Sequence, residues 1–207
     1  MATPKKRMSA EQRRALVVER ATEVFAERGY DGASIGEIAR RSDISAPVLY
    51  DHFPSKIELF REVLDREYAL LRQAWRGSLA VGGPTRQQFA TALDAWFAHV
   101  EQRRQSIPVL FHGFAAAEGA RQAQLDATRA SRSALVPLVA AALVETDPAD
   151  VEMLVEIIGG SLSALALWWH DHPTVPRANL VASALDTLWS GVERRVREQT
   201  EAPTMSR

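Results

Sequence analysis

Ser34, Ser45, Tyr50, His52 and Lys56 carry groups that can hydrogen-bond an anionic oxygen, and they crowd into one segment, SIGEIARRSDISAPVLYDHFPSK. Between them, Ala46, Pro47 and Val48 offer short apolar contacts. The chemistry available to such a set is recognition of an anion beside an apolar edge. The elements that must position it are legible. Ser34 can cap a first helix, and Glu37, three residues on, can close a capping box. Ile35, Ile38 and Ala39 then share one apolar face. Ser42-Asp43 is turn chemistry. Ser45 is an N-cap candidate for a second helix, with Pro47 in its first turn, where a missing N–H costs little. Ile44, Leu49 and Phe53 point inward, leaving Ala46, Pro47, Val48, Tyr50 and His52 outward. Two short helices at this spacing suit a helix-turn-helix, whose second helix reads base edges in a DNA major groove. On this segment alone, an ordinary helical hairpin in an all-helical core is the alternative.

The flanks add weight. Val17, Ala21, Val24, Phe25 and Arg28 recur at helical spacing, and Gly29 is placed to end that helix. Downstream, Phe53-Pro54 breaks the second short helix, and Ser55 with Glu58 suggests another capping box. Lys56 would then sit at a helix N-terminus, where the dipole disfavours a cation; a DNA phosphate lying there would relieve the mismatch.

Residues 9–68 resemble the DNA-binding domain of the TetR family of bacterial transcriptional regulators. The likeness rests on Ala21…Phe25…Gly29-Tyr30, Ser34…Ile38-Ala39, Ile44-Ser45…Leu49-Tyr50…His52-Phe53 and Ser55-Lys56…Leu59. It implies a homodimer on a palindromic double-stranded operator and a helical C-terminal domain that binds a small molecule. It also implies phosphate contacts from Ser34, Tyr50 and Lys56, and base contacts from Ala46, Pro47, Val48 and His52. Pro47 departs from the glycine common at its position, which removes a donor and adds an apolar ring. The reading surface lacks the Arg, Asn and Gln side chains that pair bidentately with purines, so thymine methyls and DNA shape should carry more of the specificity. Asp51 either accepts from a cytosine amine or points away toward an arginine, and the second is expected.

The chain has 207 residues, net charge −1 and no cysteine. A thiolate metal site, a catalytic thiol and a disulfide framework are therefore excluded. Residues 1–14 hold five basic residues against one acid. They form either a solvated tail or a basic arm for phosphates or the minor groove. They lack the apolar core of a signal peptide, and the greasiest stretch, residues 157–169, is too short for a bilayer, so a cytoplasmic protein without a membrane partner is expected. HExxH, P-loop, nucleotide-binding glycine and GxSxG motifs are absent from the sequence, which sets the enzyme class aside. No cofactor is expected. His170-Asp171-His172 lacks the further ligands a metal needs.

Beyond residue 60 the pattern is helical throughout, giving an all-α expectation. Its parts are an arm at 1–14, a helix-turn-helix domain at 15–60, an effector-binding and dimerisation domain at 61–200, and a disordered tail at 201–207. Pro137 should kink or divide an alanine-rich helix. Asp147-Pro148 starts the next. Trp75, Phe89, Trp96, His99, Phe111, His112 and Phe114 are the candidate effector pocket, against the alternative of plain core. His112 is the candidate orienting hydrogen bond. Val155, Ile158, Leu162, Leu165 and Trp169, with Leu185, Leu188 and Val192, stripe the last two helices and are the candidate dimer interface. A monomer burying both stripes is the alternative. The expected function is a repressor released by a small, largely apolar or aromatic effector. A ligand-independent DNA organiser or an activator of the same fold is the alternative, and an interaction module that has lost DNA recognition is disfavoured by the intact Ser45–Lys56 segment.

Overall fold

A computed structural model describes residues 8–75, 85–111, 116–143 and 147–201, with α-helices and no strand among them. Helix α1 (Ala10–Gly32) opens on a complete capping box: Gln12 N–H donates to Ser9 Oγ at 3.1 Å and Ser9 N–H to Gln12 Oε1 at 2.9 Å. Arg13 and Arg14 thus belong to this helix rather than to an arm. Val17, Val18, Ala21, Val24 and Phe25 are its buried face. At Gly29 the backbone takes φ 66°, which kinks the helix; one further turn runs on to Gly32. A side chain there would sit in the left-handed region that glycine enters without penalty.

Helices α2 (Ile35–Arg41) and α3 (Ala46–His52) follow, joined by a turn in which Asp43 has φ 55°. An aspartate tolerates that conformation better than most residues. Ser34 Oγ accepts from Glu37 N–H at 3.2 Å, but the expected capping box stops there, because the Glu37 carboxylate pairs with Arg41 at 2.7 Å. At the start of α4 (Lys56–Trp75) the Glu58 carboxylate likewise turns to Arg61 while Ser55 caps its N–H. A charged carboxylate does better on a guanidinium than on a neutral amide. Ser45 makes no side-chain cap bond; Pro47 supplies the start of α3 instead.

The second half comprises α5 (Arg86–Gln102), a 3-10 turn (Arg104–Ser106), α6 (Ile107–Phe111), α7 (Glu118–Ser133), α8 (Val136–Ala142), α9 (Pro148–Asp171) and α10 (Arg177–Glu201). Pro137 lies in the first turn of α8, so the alanine-rich stretch is divided, as its missing N–H requires. Asp147 caps α9 on Ala149 N–H at 2.8 Å. Helix α5 packs along α10, α4 on α7, and α9 on α6 and α8. Residues 202–207, within the expected tail, lie outside the described residues.

Helix α9 corrects two expectations. It spans 24 residues and is long and apolar enough to cross a membrane, so the greasy segment is not too short for a bilayer. One face of it is nonetheless interior. Trp169 is 1% exposed, packed on Phe97 with Arg104 stacked at 4.6 Å, and its Nε1–H donates to Val175 O at 2.8 Å. Val155, Leu162, Leu185 and Val192 are buried in the same way, so these five are not surface available to a second copy. Ile158, Leu165 and Leu188 are half-buried. The apolar face left in solvent is Met153, Ile157 and Trp168, at 52%, 56% and 45% exposure.

Candidate nucleic-acid interface and ligand cavity

The two short helices are held by a small core. Leu49 and Phe53 are fully buried and Ile44 packs against the same cluster, with α3 seated on α2. That leaves Ser45, Pro47, Tyr50 and Asp51 exposed and Val48 and His52 half-buried, whereas Ala46, expected to face the bases, is half-buried against the core. Ser34 is exposed at the N-terminus of α2. The exposed members of this set, Ser34, Ser45, Pro47, Tyr50 and Asp51, thus lie within one short stretch of chain. Asp51 has no ion-pair partner among the described residues, contrary to the arginine pairing expected of it.

Lys56 is spent differently from the expectation. Its ammonium donates to Tyr30 O at 2.8 Å and Ala33 O at 3.0 Å and lies 4.4 Å from the centre of the Tyr30 ring. Those carbonyls at the end of α1, not an external anion, relieve the charge at the N-terminus of α4, and one of three N–H groups is left over. Arg40, exposed on α2, has no partner among the described residues, and its sequence neighbourhood did not single it out. Arg28 and Arg41 are engaged by Glu37 and Glu27. The paired Arg41–Glu27 carboxylate holds Glu27 below the usual carboxylate range.

Helix α1 packs on α4, α6 and the 3-10 turn, and polar contacts add to that tie. Asp31, at the end of α1, accepts from Ala116 N–H at 2.6 Å and Ala117 N–H at 3.3 Å, capping α7 from outside. Glu19, on α1, meets Arg66 of α4 at 2.7 Å and Arg103 at 3.4 Å.

A cavity of about 100 Å³ opens among α4, α5, α7 and α9. Phe89, Trp96 and Phe111, three of the candidate effector residues, line it. His112 and Phe114, and the side chain of Trp75, lie outside the described residues. His99 is not in the lining; it is half-buried on α5, and burial first, then the Arg103 charge, lower its pKa. Most of the remaining wall is aliphatic: Leu71, Leu135, Val139, Leu143 and Leu154, with Val155, Ile158, Leu162 and Val192, four of the residues expected at a dimer face. Polar groups are few. Tyr68 Oη shares a hydrogen with Thr128 Oγ1 at 2.7 Å, and burial raises its pKa. Ser131, Ser163, Arg72 and Arg132 complete the set. Arg132 is paired with Glu156 and crosses α9 where Gly159 leaves room; a Cβ there would meet Arg132 Nε at 3.3 Å. Arg72 is half-buried without a partner among the described residues. A second hollow of about 430 Å³ adjoins, sharing Phe111, Thr128, Arg132 and Ser163 with the first and adding Arg121, Gln124 and Leu125. The sequence signal for the missed residues was small or polar side chains four apart on apolar stripes, Thr128 to Arg132 and Gly159 to Ser163. Among the described residues no cluster of His, Asp or Glu could hold a metal.

An exposed two-helix head joined to a helical body with an apolar cavity has close counterparts among known proteins. Residues 17–63 match the family model of bacterial regulatory proteins, tetR family, and residues 85–191 match that of the tetracyclin repressor-like C-terminal domain. The chain is 30% identical over 188 residues to the HTH-type transcriptional activator FasR of Mycolicibacterium smegmatis, covering 90% of this chain and 85% of that protein. A TetR-like transcriptional regulator from Rhodococcus sp. RHA1 superposes with a TM-score of 0.73 at 26% identity, covering 90% of this chain and 99% of that one. The fold is also that of the transcriptional regulator FadR from Bacillus subtilis, solved in complex with stearoyl-CoA, with a TM-score of 0.69 at 16% identity over 86% of this chain and 98% of that one. From the capped helix pair to the last helix of the body, the chain belongs to the TetR family of DNA-binding bacterial transcriptional regulators.

Proposed function

We propose that this regulator binds a palindromic operator as a homodimer and that an amphipathic small molecule in the cavity controls that binding. The observation that carries the reading is the pairing of an aliphatic and aromatic cavity wall with a guanidinium, that of Arg72, which has no partner among the described residues. Such a wall favours an apolar chain, and an uncompensated half-buried cation favours a ligand with an anionic end. The adjoining hollow, with Arg121 at its rim, offers room for a larger head group. Stearoyl-CoA in FadR is a molecule of this class. On the DNA side, Ser34, Ser45 and Tyr50 would contact phosphate, a reading supported by their exposure, with Arg40, unpartnered among the described residues, as a further cation; Lys56 has a single N–H left for that role. Ala46, Pro47, Val48 and His52 would meet the groove.

Dimerisation falls to the exposed apolar stripe of α9, Met153, Ile157 and Trp168, with Leu165 beside it. Apolar surface repeated along one helix is better buried against its two-fold mate than left in water. To enter successive major grooves, the two reading helices of such a dimer must stand about 34 Å apart. Ligand that prefers another position of α4 would change that spacing and release the operator, which makes the chain a repressor. By reciprocity DNA must then weaken ligand binding by the same factor. A second reading, activation with ligand setting promoter occupancy, is favoured by the likeness to FasR, whose name is that of an activator. An intracellular regulator needs no membrane partner under either reading.

The test begins with purified protein and fragmented genomic DNA, selecting bound sequences at near-physiological salt. An enriched palindrome supports the reading, and retention of DNA without a motif refutes it. Operator affinity is then measured with stearoyl-CoA, stearate and stearyl alcohol as probes. A response to the two anions that the alcohol fails to reproduce, and that Arg72→Met abolishes, supports the anionic ligand class. Equal responses to all three, or none, exclude it.

A further inference from the structure

Three consecutive residues of α4 face three different parts of the molecule. Arg66 pairs with Glu19 of α1 at 2.7 Å and donates to Ala15 O at 3.4 Å, both in the reading head. Tyr68 is the cavity wall, bonded to Thr128 and, at 3.3 Å, to Leu110 O. Between them Glu67 is fully buried. Its carboxylate accepts from Arg103 Nε at 2.9 Å, Arg103 Nη2 at 2.6 Å and Ser106 Oγ at 2.6 Å.

Arg103 closes the C-terminus of α5, its own N–H donating to His99 O at 3.0 Å. The guanidinium therefore belongs to the ligand-binding body, yet the same Nη2 also reaches both oxygens of Glu19 on α1, each at 3.4 Å. The two sides of this clamp are unequal. Separating Arg103 from Glu67 would strand an ion with no water to receive it, a large penalty. Glu19 has 29% of its side chain exposed, stands at the long end of hydrogen-bond distance and holds a second partner in Arg66. A small displacement between body and head therefore parts Arg103 from Glu19 while the Glu67 anchor holds.

We propose that Arg103 is a positioning residue for DNA binding: anchored on Glu67, it sets the angle of the reading head through Glu19, and this contact is where a shift of α4 at the cavity reaches α1. The link to the cavity rests on the ligand reading above; the positioning of the head does not. Glu67 and Tyr68 are neighbours on α4, so Arg103 is the single side chain needed between the cavity wall's helix and Glu19 of the head.

The primary variant is Glu19→Gln, which removes the charge on the yielding side and leaves Arg103 and Glu67 intact. Glu19→Asp serves as the conservative control, whereas Arg103→Ala could simply unfold the chain by stranding Glu67. Operator affinity of the full-length protein is measured well below its unfolding temperature, across a salt series, with and without stearoyl-CoA. We expect Glu19→Gln to shift operator affinity by about fivefold or more. The salt slope should stay unchanged, since no phosphate contact is lost. The affinity ratio with and without stearoyl-CoA should fall toward one, and Glu19→Asp should recover part of both effects. Parent-like affinity in a folded Glu19→Gln protein overturns the proposal, as does a flattened salt slope, which would place Glu19 or its partners at the DNA itself. A parent protein whose operator binding ignores stearoyl-CoA refutes the ligand reading and leaves the positioning role to be decided by the Glu19→Gln affinity alone.

Discussion

Arg14 lies over the ring of Phe53, its guanidinium carbon 4.2 Å from the ring centre, and donates to the carbonyl of His52 at 2.8 Å. Its other nitrogen pairs with Glu62 of α4 at 2.9 Å. One side chain from α1 thus closes the C-terminus of the reading helix and sets it against α4. The substitution Arg14→Ala should cost about 1–3 kcal/mol of stability through the lost charged hydrogen bonds and ring contact. Thermal unfolding would register that loss. Operator binding should weaken while its salt slope stays put, because this cation faces protein; a slope lowered by about one would mean Arg14 touches phosphate after all.

The reading strip separates into contacts that hold and contacts that choose. Arg40→Ala should reduce binding to every sequence alike and lower the salt slope by about one. Tyr50→Phe should weaken binding uniformly if its hydroxyl meets phosphate. Val48→Ala should instead change which operators are preferred, at about 1–3 kcal/mol for the affected base pair. Selection experiments on the variants, scored position by position, distinguish the two behaviours; a Val48→Ala protein with the parent's preference would remove that side chain from the base-reading set.

How far the sequence could be read follows from what periodicity measures. The spacing of Ile38, Leu49 and Phe53 identifies buried faces of short helices directly, since each has a single apolar side, and the reading strip is what remains. Helix α9 is apolar nearly all round, so its pattern could not say which side the protomer itself covers. Leu162 and Trp169 look no different in sequence from Ile157 and Trp168, yet the first pair is buried and the second exposed. The cavity was half legible for a related reason. Aromatic residues marked Phe89, Trp96 and Phe111, but Tyr68, Arg72 and Arg132 reach the same space from helices whose packing partners are set by tertiary structure. Lys56 was misjudged because helix-dipole reasoning is local, and its acceptors sit more than twenty residues upstream at Tyr30 and Ala33.

His99 supplies a pH dependence whose sign is fixed. Burial, reinforced by Arg103, holds its folded pKa below the ordinary 6.5, so the unfolded chain binds the proton more readily. The stability this neutral imidazole contributes is present above pH 6.5 and is lost as pH falls from there through the folded value. Denaturant midpoints taken between pH 8 and pH 5 should decline in the parent protein. In His99→Gln the decline should be shallower over that range. Identical curves for the two would show that other groups govern acid sensitivity.

The two faces of α9 can be separated by charge insertion. Ile157 is exposed at 56%, whereas Val155, two residues away, is 4% exposed and lines the cavity. If the outer stripe of Met153, Ile157 and Trp168 is the two-fold contact, Ile157→Arg should leave the fold and ligand site intact while placing two like charges across the axis. The protein should then run as a 22.9 kDa monomer in light scattering rather than at twice that mass. Its operator affinity should fall by about two orders of magnitude, because the second half-site no longer benefits from a tethered head. Val155→Arg should behave oppositely, lowering stability by burying an unpaired cation without selectively dissociating a folded dimer. A folded Ile157→Arg protein that remains a dimer would move the interface to another face, with the half-buried Leu188 and Trp189 of α10 the next surface to alter.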